Sequence, residues 1–366
     1  MPFLKPTQPV FCLLCLLALI SCSAPGDNDK LGSVYFDVTG RDEAVKHFKE
    51  GLLLLHSFEF DDAATAFVNA QKADPSMAMA YWGEAMTYNH PLWAEQSYED
   101  AIAALNKLSP SPEGRVEKSA TPIEKDFMKG VNILYGEGNK YDRDVAYCGF
   151  MEGMYKKYPK SQEAAAFYAL SILGSVPVGR DVEKYEKGAV IAKGILAENP
   201  NHPGALHYLI HSYDDPQHAS AAVDAANRYM KVASAAGHAL HMPSHIYVAM
   251  GMWDDVVRAN EQSYGASVAR MKEKGLDNDA RGYHALQWLL YGYLQQGRME
   301  AARKIVEDMT QYARELPSAR ARVHMSLIKG AYLVESMTGT AGNPTLQSIK
   351  AGLTSAWSPS MRSSME

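Results

Sequence analysis

The sequence predicts an all-α protein, an α-α superhelix of about six to eight helical hairpins. Three observations carry this. Ala, Leu and Tyr recur at three- and four-residue steps from roughly residue 40 to residue 335, and no stretch alternates apolar with polar in the manner of a strand. Units close on Asp74-Pro75, Tyr158-Pro159 and Asn199-Pro200, where proline ends a helical pattern. Two histidine pairs repeat at a fixed interval of 34 residues (241 − 207 and 245 − 211), the length of one helix-turn-helix unit. The composition agrees: the 366 residues are 47% hydrophobic, and 27 Gly with 18 Pro fall short of a low-complexity chain.

Residues 1–21 form an export signal, with Lys5 followed by the apolar run Val10 to Ile20. That run is too short to span a bilayer. Leu19-Ile20-Ser21-Cys22 resembles a bacterial lipobox, which implies cleavage before Cys22 and lipidation of its thiol; cleavage after Ala24 is the alternative. The product expected is an exported lipoprotein facing the periplasm or cell exterior, with membrane contact through the N-terminal lipid only. Cys12 and Cys15 leave with the signal, so Cys148 is the one further cysteine of the mature chain and no intramolecular disulfide is available. A flexible linker, 22–34, leads into the helical array at 35–337, and 338–366 reads as a mostly irregular tail with a short helix at Leu346 to Trp357.

The first unit carries Gly51 and Leu54 on one helix, then Phe60 to Ala70 with the Ala63-x3-Phe67 spacing, then Asp74-Pro75. Tyr81-Trp82-Gly83-Glu84-Ala85 opens the second, which closes at Tyr98-Glu99-Asp100-Ala101 after an insertion around His90 and Trp93. Degenerate units cover 121–159 and 163–200, and others start near Pro203, Gly237 and Tyr283. These residues resemble tetratricopeptide (TPR) repeats, which implies a TPR solenoid with the first helix of each unit lining a concave groove. A protein or peptide partner in that groove is the usual role that the resemblance implies.

Histidine is the one unusual component. Of twelve, seven fall within the 44 residues from His202 to His245. His207 and His211 are spaced i, i+4, as are His241 and His245, so each pair shares a helix face. Under the repeat resemblance the pairs occupy the fifth and ninth positions of successive first helices, which face the groove. Gln287 and Tyr291 take those positions one unit later, and His238 and His284 the second position of their own units. His56, Glu84 and His90 are further groove candidates from the first two units. His202 and His218 sit at a unit boundary and a turn and read as capping residues, and His47 and His324 as packing or solvated ones. Pro243, two residues after His241, interrupts any helix already running at His238.

The blocks His202-Pro203 to Tyr213 and His238 to Tyr247 also look like a bacterial lipoprotein-type subfamily of repeat proteins, to which no firm reaction attaches. There an acidic residue is common at the position of Gln287, so its replacement would deprive a metal of an anionic ligand.

Five histidines, His207, His211, His241, His245 and His284, are therefore the candidate metal ligands, with His56, Glu84, His90, His238 and Gln287 as additional groove residues. An imidazole-rich set lacking a nearby thiolate suits a transition metal, copper or zinc first and iron if Glu84 joins, and disfavours calcium or magnesium. Hydrogen bonding to a bound peptide or small molecule and a purely structural histidine network are the competing readings. The metal reading extends to metal-dependent catalysis, whereas a metal-free scaffold binding a protein at the cell envelope is the alternative function. With a net charge of −6 and no basic block, nucleic acid is not an expected partner. No phosphate loop, nucleophile elbow or HExxH occurs.

Overall fold

The computed structural model describes residues 30–177 and 179–337. The signal segment, Cys22 and the tail from 338, including its expected helix, lie outside the described residues. Among the described residues the chain is all-α, with seven helical hairpins and a closing helix. The hairpins are α1 (Asp42–His56) with α2 (Phe60–Ala73), α3 (Ala78–Met86) with α4 (Tyr98–Leu108), and, after a short α5 (Pro112–Lys118), α6 (Pro122–Leu134) with α7 (Lys140–Lys157). Then come α8 (Gln162–Gly174) with α9 (Val182–Glu198), α10 (Pro203–Ser212) with α11 (Val223–Val232), and α12 (Gly237–His241) plus α13 (Pro243–Ala249) with α14 (Trp253–Glu273). Last are α15 (Tyr283–Gln295) with α16 (Met299–Glu315), and α17 (Ala319–Met337). In the insertion after α3, β1 (Asn89–His90) and β2 (Glu95–Gln96) form a two-residue antiparallel ladder that the helical periodicity did not announce.

Local chemistry sets these boundaries. Thr121 and Glu124 cap α6 reciprocally, with Pro122 in its first turn, and Ser161 and Asp181 cap α8 and α9 with their side chains. Phe67 wedges between first helices: a Cβ at Gly51 would lie 2.9 Å from its ring and one at Gly83 2.3 Å, so only glycine lets α1, α2 and α3 approach. Pro243 starts α13 at its first turn, and the hydrogen-bond ladder is interrupted between His241 and His245 while the Met242 backbone stays helical, φ −51° and ψ −39°.

The superhelix curls until its wall of first helices meets itself. α1 packs on α3 and also on α10, which packs on α8. The concave side of these hairpins is filled, with Trp82 against Phe48, Phe127 and Phe167 at ring distances of 6.4, 5.4 and 5.2 Å. The open peptide groove expected from the repeat resemblance is thus occupied by core along this stretch. Large aromatics at inward positions bury more apolar surface by meeting one another than by facing water.

The expected linker is also revised at its C-terminal end. Leu31 is buried, and Ser33 donates its backbone N–H to Asn201 O at 2.9 Å and its hydroxyl to Asn199 Oδ1 at 3.0 Å. Ala235 N–H reaches Lys30 O at 3.1 Å, and Thr39 N–H reaches Glu124 Oε1 at 2.6 Å. Residues 30–41 therefore strap three hairpins together, because each buried backbone group finds a partner there. Arg270 and Lys274 of α14 grip Asp62 of α2 and tie the first hairpin to the sixth.

Candidate metal centre

Six histidines converge in two sets of three. His207, His211 and His238 offer ring nitrogens all within 4.8 Å of one another, and so do His241, His245 and His284. In the first set Nε2 of His207 lies 3.1 Å from Nε2 of His211 and 3.2 Å from Nε2 of His238. In the second, Nε2 of His241 and Nε2 of His245 are 3.2 Å apart, and the His241 and His284 ring centroids are 4.6 Å apart. Two imidazole nitrogens bound to one tetrahedral ion at about 2.0–2.1 Å lie about 3.3 Å apart, so these spacings match ligands of a common metal.

Both sets follow one rule. The fifth and ninth positions of one first helix are completed by the second position of the next, His238 beside α10's pair and His284 beside the pair of α12 and α13. The unit from 238 to 284 spans 46 residues rather than 34 because α14 and the turn after it are longer. The four in-phase histidines thus divide between two sets instead of forming one. The sets adjoin, with His211 and His245 rings 6.2 Å apart and His238 and His241 rings 6.3 Å apart. The next hairpin departs from the rule: Gln287 and Tyr291 hold the fifth and ninth positions, the second residue of α17 is Arg320, and buried His324, its sixth residue, stands with Nδ1 3.2 Å from Gln287 Oε1.

The surroundings fix which nitrogen carries the proton. Nδ1–H of His207 donates to the carbonyl oxygen of His56 at 2.8 Å. That of His245 donates to Asp214 Oδ2 at 2.8 Å, and that of His241 to Asn260 Oδ1 at 2.7 Å. Asn260 cannot be flipped, because its Nδ2 donates to Val256 O at 2.8 Å. With Nδ1 protonated, each of these imidazoles presents a lone pair on Nε2, the arrangement by which outer partners orient histidine ligands. Burial lowers the pKa values of His207 and His238 well below the usual histidine range, and neighbouring imidazoles push in the same direction, so both are neutral at neutral pH.

Aromatic rings seat each set. Phe58 lies 4.3, 6.2 and 5.5 Å from the rings of His207, His211 and His238. Trp288 lies 5.2, 4.5 and 5.8 Å from those of His241, His245 and His284. Phe58 closes α1 in a left-handed conformation, φ 56°, with its N–H on Leu55 O and that of Glu59 on Leu54 O. This is a Schellman cap in which glycine is the ordinary residue.

Other candidates fall elsewhere. Glu84 is buried against Lys107 Nζ at 2.6 Å and Gln71 Nε2 at 2.6 Å, so the expectation that it supplies an anionic ligand is corrected: a buried carboxylate is held by the nearest cation. His90 stacks on Phe60 at 4.0 Å and contacts Thr87 O, in the wall beside Trp93. His56 turns away from the sets and enters a third cluster, also of metal-ligating residue types, with Glu163 and His202. There Nε2–H of His56 donates to Glu163 Oε2 at 2.7 Å, Tyr208 Oη–H donates to His56 Nδ1 at 2.8 Å, and His202 Nε2–H donates to Glu163 Oε1 at 3.1 Å. Burial would raise the Glu163 pKa, but the two imidazoles outweigh it and hold it at about 2. His202 Nδ1 also accepts from Ala205 N–H and caps α10. His218 pairs with Asp215 in the turn after α10. Sequence reasoning missed Phe58, Asp214, Asn260, Glu163 and Trp288. Asp214 follows His211 by three residues and was the one legible in principle.

No family model and no curated protein sequence matches the chain. Among solved structures, the TPR domain of P58(IPK) is similar at 12% identity, covering 88% of this chain and 99% of that one with a TM-score of 0.25. Yeast Tom70 is similar at 11% identity, covering 85% and 92% with a TM-score of 0.17. Any chemistry of the histidines is read from their own geometry.

Proposed function

We propose that the chain is an extracytoplasmic, lipid-anchored TPR-like protein that binds two transition-metal ions, one in each three-histidine set. The supporting observation is the 3.1–3.2 Å spacing of Nε2 atoms around His207 and between His241 and His245. Three imidazole nitrogens converge in each set, and Nδ1–H is committed at His207, His241 and His245, which leaves their Nε2 lone pairs for a metal ion. Neither set includes a carboxylate, which favours copper or zinc over iron. Three protein ligands leave a fourth position for water or substrate, the coordination that metal-dependent catalysis uses.

Elemental analysis of the natively exported protein tests this. Two equivalents of metal per chain are expected, falling to one in His207→Ala or His241→Ala and to none in the double variant, with helical circular dichroism retained. Metal-free protein that takes up neither copper nor zinc overturns the reading. The lipid anchor at Cys22 is tested separately: Cys22→Ala should release the mature protein from the membrane fraction.

A second reading, a protein partner, draws on the outer face of α7 and α9, where Tyr141, Val145, Val182 and Val190 are exposed. It predicts that charge substitutions at Val145 and Val190 abolish capture of a partner while metal content stays unchanged.

A further inference from the structure

A cleft of about 230 Å³ opens over the centre, and His238, His241 and His284 line it together with Glu59, Asp62, Arg270 and Arg320. It holds about the volume of seven or eight liquid waters, enough for a small organic molecule. Its charged groups are unequally engaged. Asp62 is taken by Arg270, with Nε to Oδ2 at 2.8 Å and a second guanidinium bond, and by Lys274. Glu59 Oε1 accepts the backbone N–H of His238 at 2.8 Å, at the start of α12, so its charge faces the helix N-terminus. Arg320, one turn before His324 on α17, has no carboxylate partner among the described residues. Its guanidinium lies over the Tyr283 ring at 5.4 Å and bonds only the carbonyl oxygen of Asp279, and its buried Nε has no hydrogen-bond partner among the described residues.

A guanidinium held by one backbone oxygen and one ring keeps donors for a planar anion, which it binds with paired N–H bonds. We propose that this cleft binds a small organic carboxylate, its carboxylate on Arg320 and a second donor group on the metal at His241, His245 and His284. The inference deepens the metal reading and rests on it for the second contact.

The test is calorimetric titration of the full mature chain with succinate, in zinc-loaded and metal-free forms, with zinc content measured on the same samples. Succinamide, the uncharged isostere, is the control. Succinate should bind the zinc-loaded chain, succinamide should not, and Arg320→Gln, which keeps the stem over Tyr283, should weaken binding by roughly tenfold or more at unchanged zinc content. Arg320→Lys should recover part of the loss. Equal binding of succinate and succinamide, or binding indifferent to Arg320→Gln, overturns the proposal. If the chain takes up no zinc, the metal reading fails by itself, and titration of the metal-free chain still decides the anion site: Arg320-dependent succinate binding upholds it, and its absence removes it.

Discussion

His245 donates Nδ1–H to Asp214 Oδ2 at 2.8 Å while its Nε2 stands 3.2 Å from Nε2 of His241. The carboxylate sits in the turn after α10 and the imidazole on α13, so one hairpin's turn orients the next hairpin's imidazole. Outer partners of this kind typically change metal affinity by 10–100-fold. Asp214→Asn keeps the shape, removes the charge and lets an amide N–H face the ring. We expect chelator competition to show the second site weakened by roughly that factor, with the first site unchanged. Equal weakening of both sites would contradict this assignment.

Stability of the metal-free chain should fall in acid. Burial lowers the pKa values of His56, His207 and His238, so below the ordinary histidine value the unfolded chain binds protons that the folded chain refuses. Stability is therefore fully present above about pH 7 and declines as pH falls through about 6.5, by about 1.4 kcal/mol per pH unit for each imidazole kept neutral. Glu163 acts in the same direction lower down: its pKa is held at about 2, so its contribution is present above the usual carboxylate range and is lost as pH falls toward that value. Urea unfolding between pH 2 and 8 measures both limbs, and a flat profile would rule them out.

The Phe58 ring contacts the first histidine set from a left-handed backbone. Phe58→Ala removes the ring and keeps the strain, whereas Phe58→Gly removes both. We expect a loss of about 3–5 kcal/mol for alanine and about 1 kcal/mol less for glycine. Denaturation of the two variants checks the order, which is opposite to that at an ordinary helical position.

The two-site rule can be extended. His324 approaches Gln287 from the sixth position of α17, so if a fifth-and-ninth pair needs only one facing histidine from the next helix, Gln287→His with Tyr291→His should complete a third set with His324. Metal content should then rise from two equivalents to three, as measured by elemental analysis.

The array itself was legible in the sequence, since 3.6-residue periodicity and proline-closed units follow from local geometry. So were the two histidine pairs: residues four apart share a helix face whatever the helix packs on. Assignment of the third ligand was not legible. His238 joins His207, and His284 joins His241, because a second-position side chain reaches across the interface between neighbouring first helices, and one-dimensional spacing carries no information on that reach. Glu84 looked available for the same reason, and Lys107, 23 residues away, holds it.

By itself the sequence determined an all-α repeat chain with in-phase histidines at 34 residues. Tertiary structure decided that the wall of first helices closes on itself, α1 against α10, and brings the carbonyl of His56 to Nδ1 of His207 across 151 residues. Closure buries the inner aromatics and strips water from the imidazoles. Removal of that water makes the buried histidines neutral, fixes tautomers through the few partners left, and turns a row of side chains into two convergent sets of imidazoles.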